Sequence, residues 1–261
     1  MELWWRAVDD LSSLLETLEP EDWPRRTDLA GWDVRAIAAH TAHLEALLAG
    51  APHDEVEIGE PAHVTGPFGR FTEQGVVARR DRSPDRLVAE LRSSAATRHA
   101  ALQADPPNDP EAPAPGLLGA IGWSTETLLR NRPLDLWMHE QDVRRAVGRP
   151  GNLDGPAAVH ATDYLAESLG YVLGKRVAAP AGTTLALDIT GHAARGFAVG
   201  DDGRGRALTE PPPDPTVRLT TDRESFLLLA GGRRSTPPGA VRVEGDSDLG
   251  QRVLASMAVT P

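Results

Sequence analysis

The hydrophobic period of this chain changes once, near Gly148, and that change limits the folds open to it. Before it, apolar residues recur every three to four positions. Trp4, Ala7, Val8, Leu11, Leu14, Leu15 and Leu18 form one such stripe, the pattern of a helix with one buried face. Pro20 and Pro24 end it. Asp33 is placed to cap a second helix through "VRAIAAHTAHLEALLAG", which closes at Gly50. Ser83 and Pro84 open a third, "SPDRLVAELRSSAATRHAAL". After the Pro-rich loop 105–116, Pro133 either begins or kinks a helix that carries "DLWMHEQDVRRA" (135–146). Four principal helices with polar connections predict an antiparallel bundle over residues 1–150.

Beyond Gly148 the turn-rich "GRPGNLDGP" marks a boundary, and "AAVHATDYLAESLGYVL" predicts one more helix. "TTLALDI", "TVRLTT" and "GAVRVEGD" then alternate apolar and polar residues as half-buried strands do. "DRESFLLLAGG" and "SDLGQRVLASMAV" predict short helices. Residues 151–261 are therefore expected to form a second, α+β domain around a small antiparallel sheet.

Charge and composition narrow the partners. A net charge of −11 offers no basic field for phosphates, so no nucleic-acid partner is expected. No apolar run approaches the roughly 20 residues of a membrane span. "MELWWRAVDDLSS" lacks a basic stretch followed by an apolar one, so a cytoplasmic protein is expected. With 40% hydrophobic residues the chain can bury a core, and with no Cys it has no disulfide, thiolate ligand or thiol nucleophile of its own. Any metal must be held by nitrogen and oxygen.

The helix faces separate two kinds of polar residue. With Asp135 set at zero, an advance of about 100° per residue puts His139 near +40° and Asp142 near −20°, within or beside the apolar stripe. Glu140, Gln141, Arg144 and Arg145 fall on the other side, where water is expected to solvate them. On the second helix His40 lies inside the apolar arc, and His43 lies at its margin. Two inward imidazoles and an inward carboxylate could hold a metal, which would offset the cost of burying the carboxylate. The same Asp–His spacing of four also suits a plain hydrogen bond or ion pair. Asp142 either orients a ligating imidazole or pairs with Arg145.

Two segments, "LAGWDVRAIAAHTAHLEALLAG" (29–50) and "RPLDLWMHEQDVRRAVGRPG" (132–151), resemble the DinB-like, mycothiol-dependent maleylpyruvate isomerase family of actinobacteria. The ending "VRVEGDSDLGQRVLASMAVTP" (241–261) resembles the close of that family's C-terminal domain, which is similar to sterol-carrier proteins. The resemblance implies a four-helix bundle holding a divalent metal, usually Zn²⁺, followed by a small α+β sterol-carrier-like domain. It assigns the ligands to His40, Asp135 and His139. Asp135 departs from the pattern, since the family's isomerase has a longer carboxylate there and other DinB-like proteins a His. In "LAGGRRS", Arg233 corresponds to an arginine that serves substrate anions. The implied activity is a metal-dependent isomerase or thiol S-transferase that uses mycothiol on a small maleylpyruvate-like electrophile. A non-catalytic ligand-binding protein with a structural metal and a metal-dependent hydrolase are the alternatives. A structural site would have a fourth protein ligand, with His43 and Asp142 the groups in reach.

Overall fold

The computed structural model describes residues 1–260, which divide into two compact units, one from Met1 to Asn152 and one from Leu153 onward. In the first unit, four long helices follow the apolar stripes: α1 (Glu2–Glu16), α2 (Val34–Leu48), α4 (Pro84–Ala104) and α6 (Thr125–Val147). Two shorter ones, α3 (Gly66–Val77) and α5 (Gly116–Ala120), lie between them. Helix α1 packs on α4 and α6, and α2 packs on α3, α4 and α6. Their buried faces meet in one core that includes Trp4, Leu11 and Leu15 of α1, Ile37 of α2, Leu87 and Leu91 of α4, and Leu136 and Val143 of α6.

Local chemistry sets the ends of the two helices that matter most for function. Asp33 Oδ1 accepts from the Ala36 amide at 2.8 Å and starts α2. Ser124 Oγ accepts from the Thr127 amide at 3.2 Å and starts α6. Pro133 therefore lies inside α6 and does not begin it, since Ser124 caps the helix upstream of it. Gly148 closes α6 with φ 69°, a left-handed backbone that a Cβ would strain. Helix α3 has no counterpart in the periodicity analysis, because Phe68, Phe71, Val76 and Val77 are too few to mark a stripe.

The second unit holds a five-stranded sheet in the order β3-β2-β1-β4-β5, built from β1 (Thr184–Ile189), β2 (Arg195–Val199), β3 (Gly205–Leu208), β4 (Val217–Thr221) and β5 (Val241–Gly245). The expected antiparallel sheet is in fact mixed, because β1 and β4 run parallel. Two reversals, β1 to β2 and β2 to β3, leave the chain travelling in the β1 direction, and the loop bearing "EPPPDP" returns it beside β1. β2 and β3 escape the period-two pattern because Gly196 and Ala198 give no polar contrast to Phe197 and Val199, and because β3 is largely exposed. The helix expected after the boundary breaks at Ser168 into α7 (Pro156–Glu167), α8 (Leu169–Tyr171) and a π-helical turn at Val172–Arg176. α9 (Arg223–Ala230) and α10 (Ser247–Ala255) complete the unit. The fold is thus a helical bundle followed by an α+β domain. Among the described residues no helix is long and apolar enough to cross a membrane.

Candidate metal centre

The packing of α2 on α6 brings His40 against Asp135 and His139. One donor atom from each lies within 4.8 Å of the others. His139 Nε2 stands 3.5 Å from Asp135 Oδ1, and His40 Nε2 stands 3.9 Å from Asp135 Oδ2. The two imidazoles meet edge to face, with centroids 4.9 Å apart. Both rings are buried, while the Asp135 side chain keeps 25% of its surface. The cluster is therefore most open on its carboxylate side.

The donor set fits a small divalent cation. Two ligands at about 2.1 Å from one tetrahedral ion stand roughly 3.4 Å apart, close to the separations found here. No hydrogen bond accounts for His40: its Nδ1 is buried without a partner, and 3.9 Å from Nε2 to the carboxylate is too long. Burial, then the neighbouring His139, hold the His40 pKa down to about 3, so its lone pair is available at neutral pH. Burial would raise the Asp135 carboxyl, but Arg132 and then His139 hold it well below the usual range. For His139, burial is outweighed by Asp135 and Asp142, which raise its pKa.

Asp142 pairs with Arg145 and lies beside His139. Its Oδ2 lies 3.3 Å from His139 Nδ1, off the line of a formed hydrogen bond, and Oδ1 accepts from Arg145 Nη2 at 2.5 Å. Arg145 is held in turn by Asp28 at 2.7 Å. His43 turns away from the cluster: its Nε2 pairs with His53 Nδ1 at 3.2 Å, and His53 Nε2 pairs with Gln74 Oε1 at 3.1 Å. Neither His43 nor Asp142 supplies a fourth donor to the group.

The expectation that water solvates Glu140 and Gln141 is wrong. Glu140 is fully buried and Gln141 nearly so. The segment after α6 folds back over that face, where Asn152 Nδ2 donates to Glu140 at 2.8 Å and Gln141 Nε2 donates to the Gly151 carbonyl at 3.1 Å. Arg144 does pair with Glu140, at 2.7 Å, and burial raises the Glu140 pKa in spite of it. Arg233, in the second unit, donates to the Gly231 carbonyl at 2.7 Å and to Thr260 Oγ1 at 3.2 Å.

Several residues around the cluster were not singled out from the sequence. Trp32 lies against both imidazoles, 5.0 Å from His40 and 6.2 Å from His139 by ring centroids. Its indole donates to Glu73 at 2.9 Å, and Glu73 also faces His63 at 3.2 Å. Trp32 also lines a cavity of about 540 Å³ between the 24–33 loop, α2 and α3, which none of the three candidate ligands lines. Behind Asp135 lie Arg132, Glu45 and Arg98, all buried. Arg132 falls near +60° on the Asp135 wheel and was open to discovery by that route. Glu45 falls near +140° on the His40 wheel, outside the apolar arc, and gave no signal.

Comparison with known proteins agrees with this architecture. Residues 4–144 match the family described as the mycothiol maleylpyruvate isomerase N-terminal domain, and residues 159–252 match its C-terminal domain. The crystal structure of the mycothiol-dependent maleylpyruvate isomerase is similar in fold at 17% identity, with a TM-score of 0.58 over 93% of this chain and 90% of that one. A histidine-to-alanine mutant of that isomerase matches at 16% identity and a TM-score of 0.57, with the same coverage. No protein in a curated collection is similar enough to count as a match. The helical unit, the α+β unit and the matched segments together show that this chain belongs to the mycothiol-dependent maleylpyruvate isomerase family.

Proposed function

We propose that the protein is a metal-dependent isomerase that uses mycothiol to act on a small, maleylpyruvate-like electrophile, with His40, Asp135 and His139 as the metal ligands. The observation that carries this is the convergence of two imidazoles and one carboxylate with no fourth protein donor among the described residues. Structural zinc sites fill four positions with protein, whereas catalytic ones keep one for water or substrate. The donor set favours Zn²⁺, although affinity alone does not select it. A divalent cation bound there would lower the pKa of a thiol beside it and so supply a thiolate at neutral pH, the nucleophile that reversible addition to a conjugated double bond needs.

The chain's own residues prepare the site. His40 stays neutral, so it offers a lone pair without giving up a proton. Asp142 stands beside His139 Nδ1, which turns the Nε2 atom toward the cluster. Trp32 covers one side of both imidazoles and keeps water from it. No cysteine of the protein competes for the cation or the electrophile. Arg233 is the candidate contact for a substrate carboxylate, by the resemblance of "LAGGRRS". A low-molecular-weight thiol is kept reduced in the cytoplasm, and the reading puts the reaction there.

Two measurements test the proposal. Purified wild type should retain a stoichiometric divalent metal, and His139→Ala should lose it. Retention by the variant at unchanged affinity would exclude this site. Turnover of maleylpyruvate should then require added mycothiol, and turnover without any thiol would refute the thiol mechanism in favour of a metal-bound water. Product analysis separates isomerisation from S-transfer.

A further inference from the structure

Directly behind the cluster, the first unit buries a charged network that the proposed chemistry does not use. The Arg132 side chain is 1% exposed and that of Glu45 is 0% exposed. Arg132 Nε and Nη2 donate to Glu45 Oε1 at 3.0 and 2.8 Å. Its remaining terminal nitrogen, Nη1, donates to Asp135 Oδ2 at 2.7 Å. Glu45 is fixed in turn. Oε1 also accepts from Trp4 Nε1 at 3.0 Å, and Oε2 accepts from Arg98 Nη1 at 3.2 Å. The Arg98 guanidinium lies over the Trp4 ring, 4.6 Å from its centroid. Glu45 of α2 therefore anchors one guanidinium of α6 through Oε1, while Arg98 of α4 takes Oε2.

The consequence falls on Asp135. A guanidinium is a planar fork, so once Nε and Nη2 are engaged by Glu45 its plane and its third donor are set. That donor takes one oxygen of the carboxylate. The other, Oδ1, faces His139 Nε2 at 3.5 Å, while the held oxygen is the one nearer His40 Nε2, at 3.9 Å. Burying an arginine is costly unless it is paired. Glu45 serves both Arg98 and Arg132, which leaves one positive charge for Asp135 to balance.

We propose that Arg132, anchored on Glu45, is a positioning residue that holds Asp135 Oδ2 and so fixes the orientation in which the carboxylate meets the metal. This rests on the metal-centre reading above. A free aspartate rotates about its side-chain bonds; one held in this way meets the cation in a single orientation. Partners that orient ligating groups typically contribute about 10–100-fold in metal affinity. A lysine at position 132 keeps the charge but cannot reach Glu45 and Asp135 with a rigid fork, so it isolates the geometric effect.

The test uses the full-length protein and Co²⁺ as the probe, with affinity from chelator competition and coordination from visible absorption. Wild type should bind one Co²⁺ per chain. Arg132→Lys should bind about 10–100-fold more weakly, with an altered spectrum as the released carboxylate changes its mode of coordination. Arg98→Lys is the control, because Arg98 touches Glu45 but not Asp135. It should lower thermal stability and leave the Co²⁺ spectrum as in wild type. An unchanged spectrum and affinity in Arg132→Lys would overturn the inference, as would the same spectral change in both variants. If Arg132→Lys does not fold, Glu45→Asp keeps every charge and draws the anchor back by one methylene. It should shift the spectrum in the same direction, and a folded Glu45→Asp protein with the wild-type spectrum and affinity refutes the role. A wild type that binds no Co²⁺ would bring down the metal-centre reading itself, which separates that failure from one confined to Arg132.

Discussion

Gly75→Ala sets two energies against each other at one position. Gly75 lies within α3, and replacing a helical glycine by alanine ordinarily stabilises by about 0.8–1 kcal/mol. The structure predicts the opposite sign. An added Cβ would come to 2.0 Å from His43 Nδ1, 2.2 Å from Cγ and 2.4 Å from Cε1, which is contact with a whole ring and not with one flexible atom. That ring is 2% exposed and is pinned by its 3.2 Å link to His53. Relief requires either separating α3 from α2 or turning the imidazole out of that link. Overpacking of this kind costs about 1–3 kcal/mol, and a buried polar group left unpaired costs about 1–3 kcal/mol more. Either cost alone, less the helix gain, leaves a net destabilisation of up to about 2 kcal/mol, and both together leave up to about 5 kcal/mol. Urea unfolding of the full-length protein, followed by circular dichroism, measures it. In a His43→Ala background the obstacle is gone, and Gly75→Ala should become neutral or stabilising by up to about 1 kcal/mol. Stabilisation by Gly75→Ala in the wild-type background would refute the close approach of α3 to His43. So would equal destabilisation in both backgrounds.

Two other outcomes follow from buried charge. Glu45→Gln keeps the shape but removes the charge facing Arg98 and Arg132, so it should cost about 3–5 kcal/mol, as breaking a buried pair does. A loss under about 1 kcal/mol in chemical unfolding would contradict the network. His43 is held down to about 4 from 6.5 by burial, then by Arg79 and His53. The unfolded chain takes up that proton below pH 6.5 and the folded protein resists until about pH 4, so stability is lost as pH falls across this window. The loss amounts to about 3 kcal/mol. In His43→Asn the change in unfolding free energy between pH 7 and pH 4.5 should be smaller than in wild type by about 2–3 kcal/mol. Equal changes would rule out a buried neutral His43.

The elements that follow from spacing are those whose chemistry is local. The four long helices announce themselves because each repeats its apolar face over several turns, and Asp33 caps α2 with its own side chain. The inward angles of His40, Asp135 and His139 come from the same spacing. That the two faces point at each other came from the resemblance, and the packing of α2 on α6 supplies the geometry. Helix α3 carries too few apolar residues to mark a stripe, β2 sets Gly196 and Ala198 beside Phe197 and Val199 without polar contrast, β3 is largely exposed, and the parallel β1–β4 pair depends on where a loop returns the chain.

A helical wheel gives an angle and says nothing about what lies at that angle. Glu140 and Gln141 were assigned to water because they face away from Asp135, and the 151–152 segment buries them. Glu45 lies outside the apolar arc of its helix and is nonetheless fully buried, because Trp4, Arg98 and Arg132 arrive from three other helices. His43 and His40 are three residues apart on α2, yet one joins His53 and Gln74 while the other meets Asp135 and His139. Periodicity is written in the intervals between neighbouring residues, so helix, face and candidate donors can be read from the chain alone. The partners of a buried charge lie 41 to 87 residues away in sequence, and only the packed structure decides which of them closes over it.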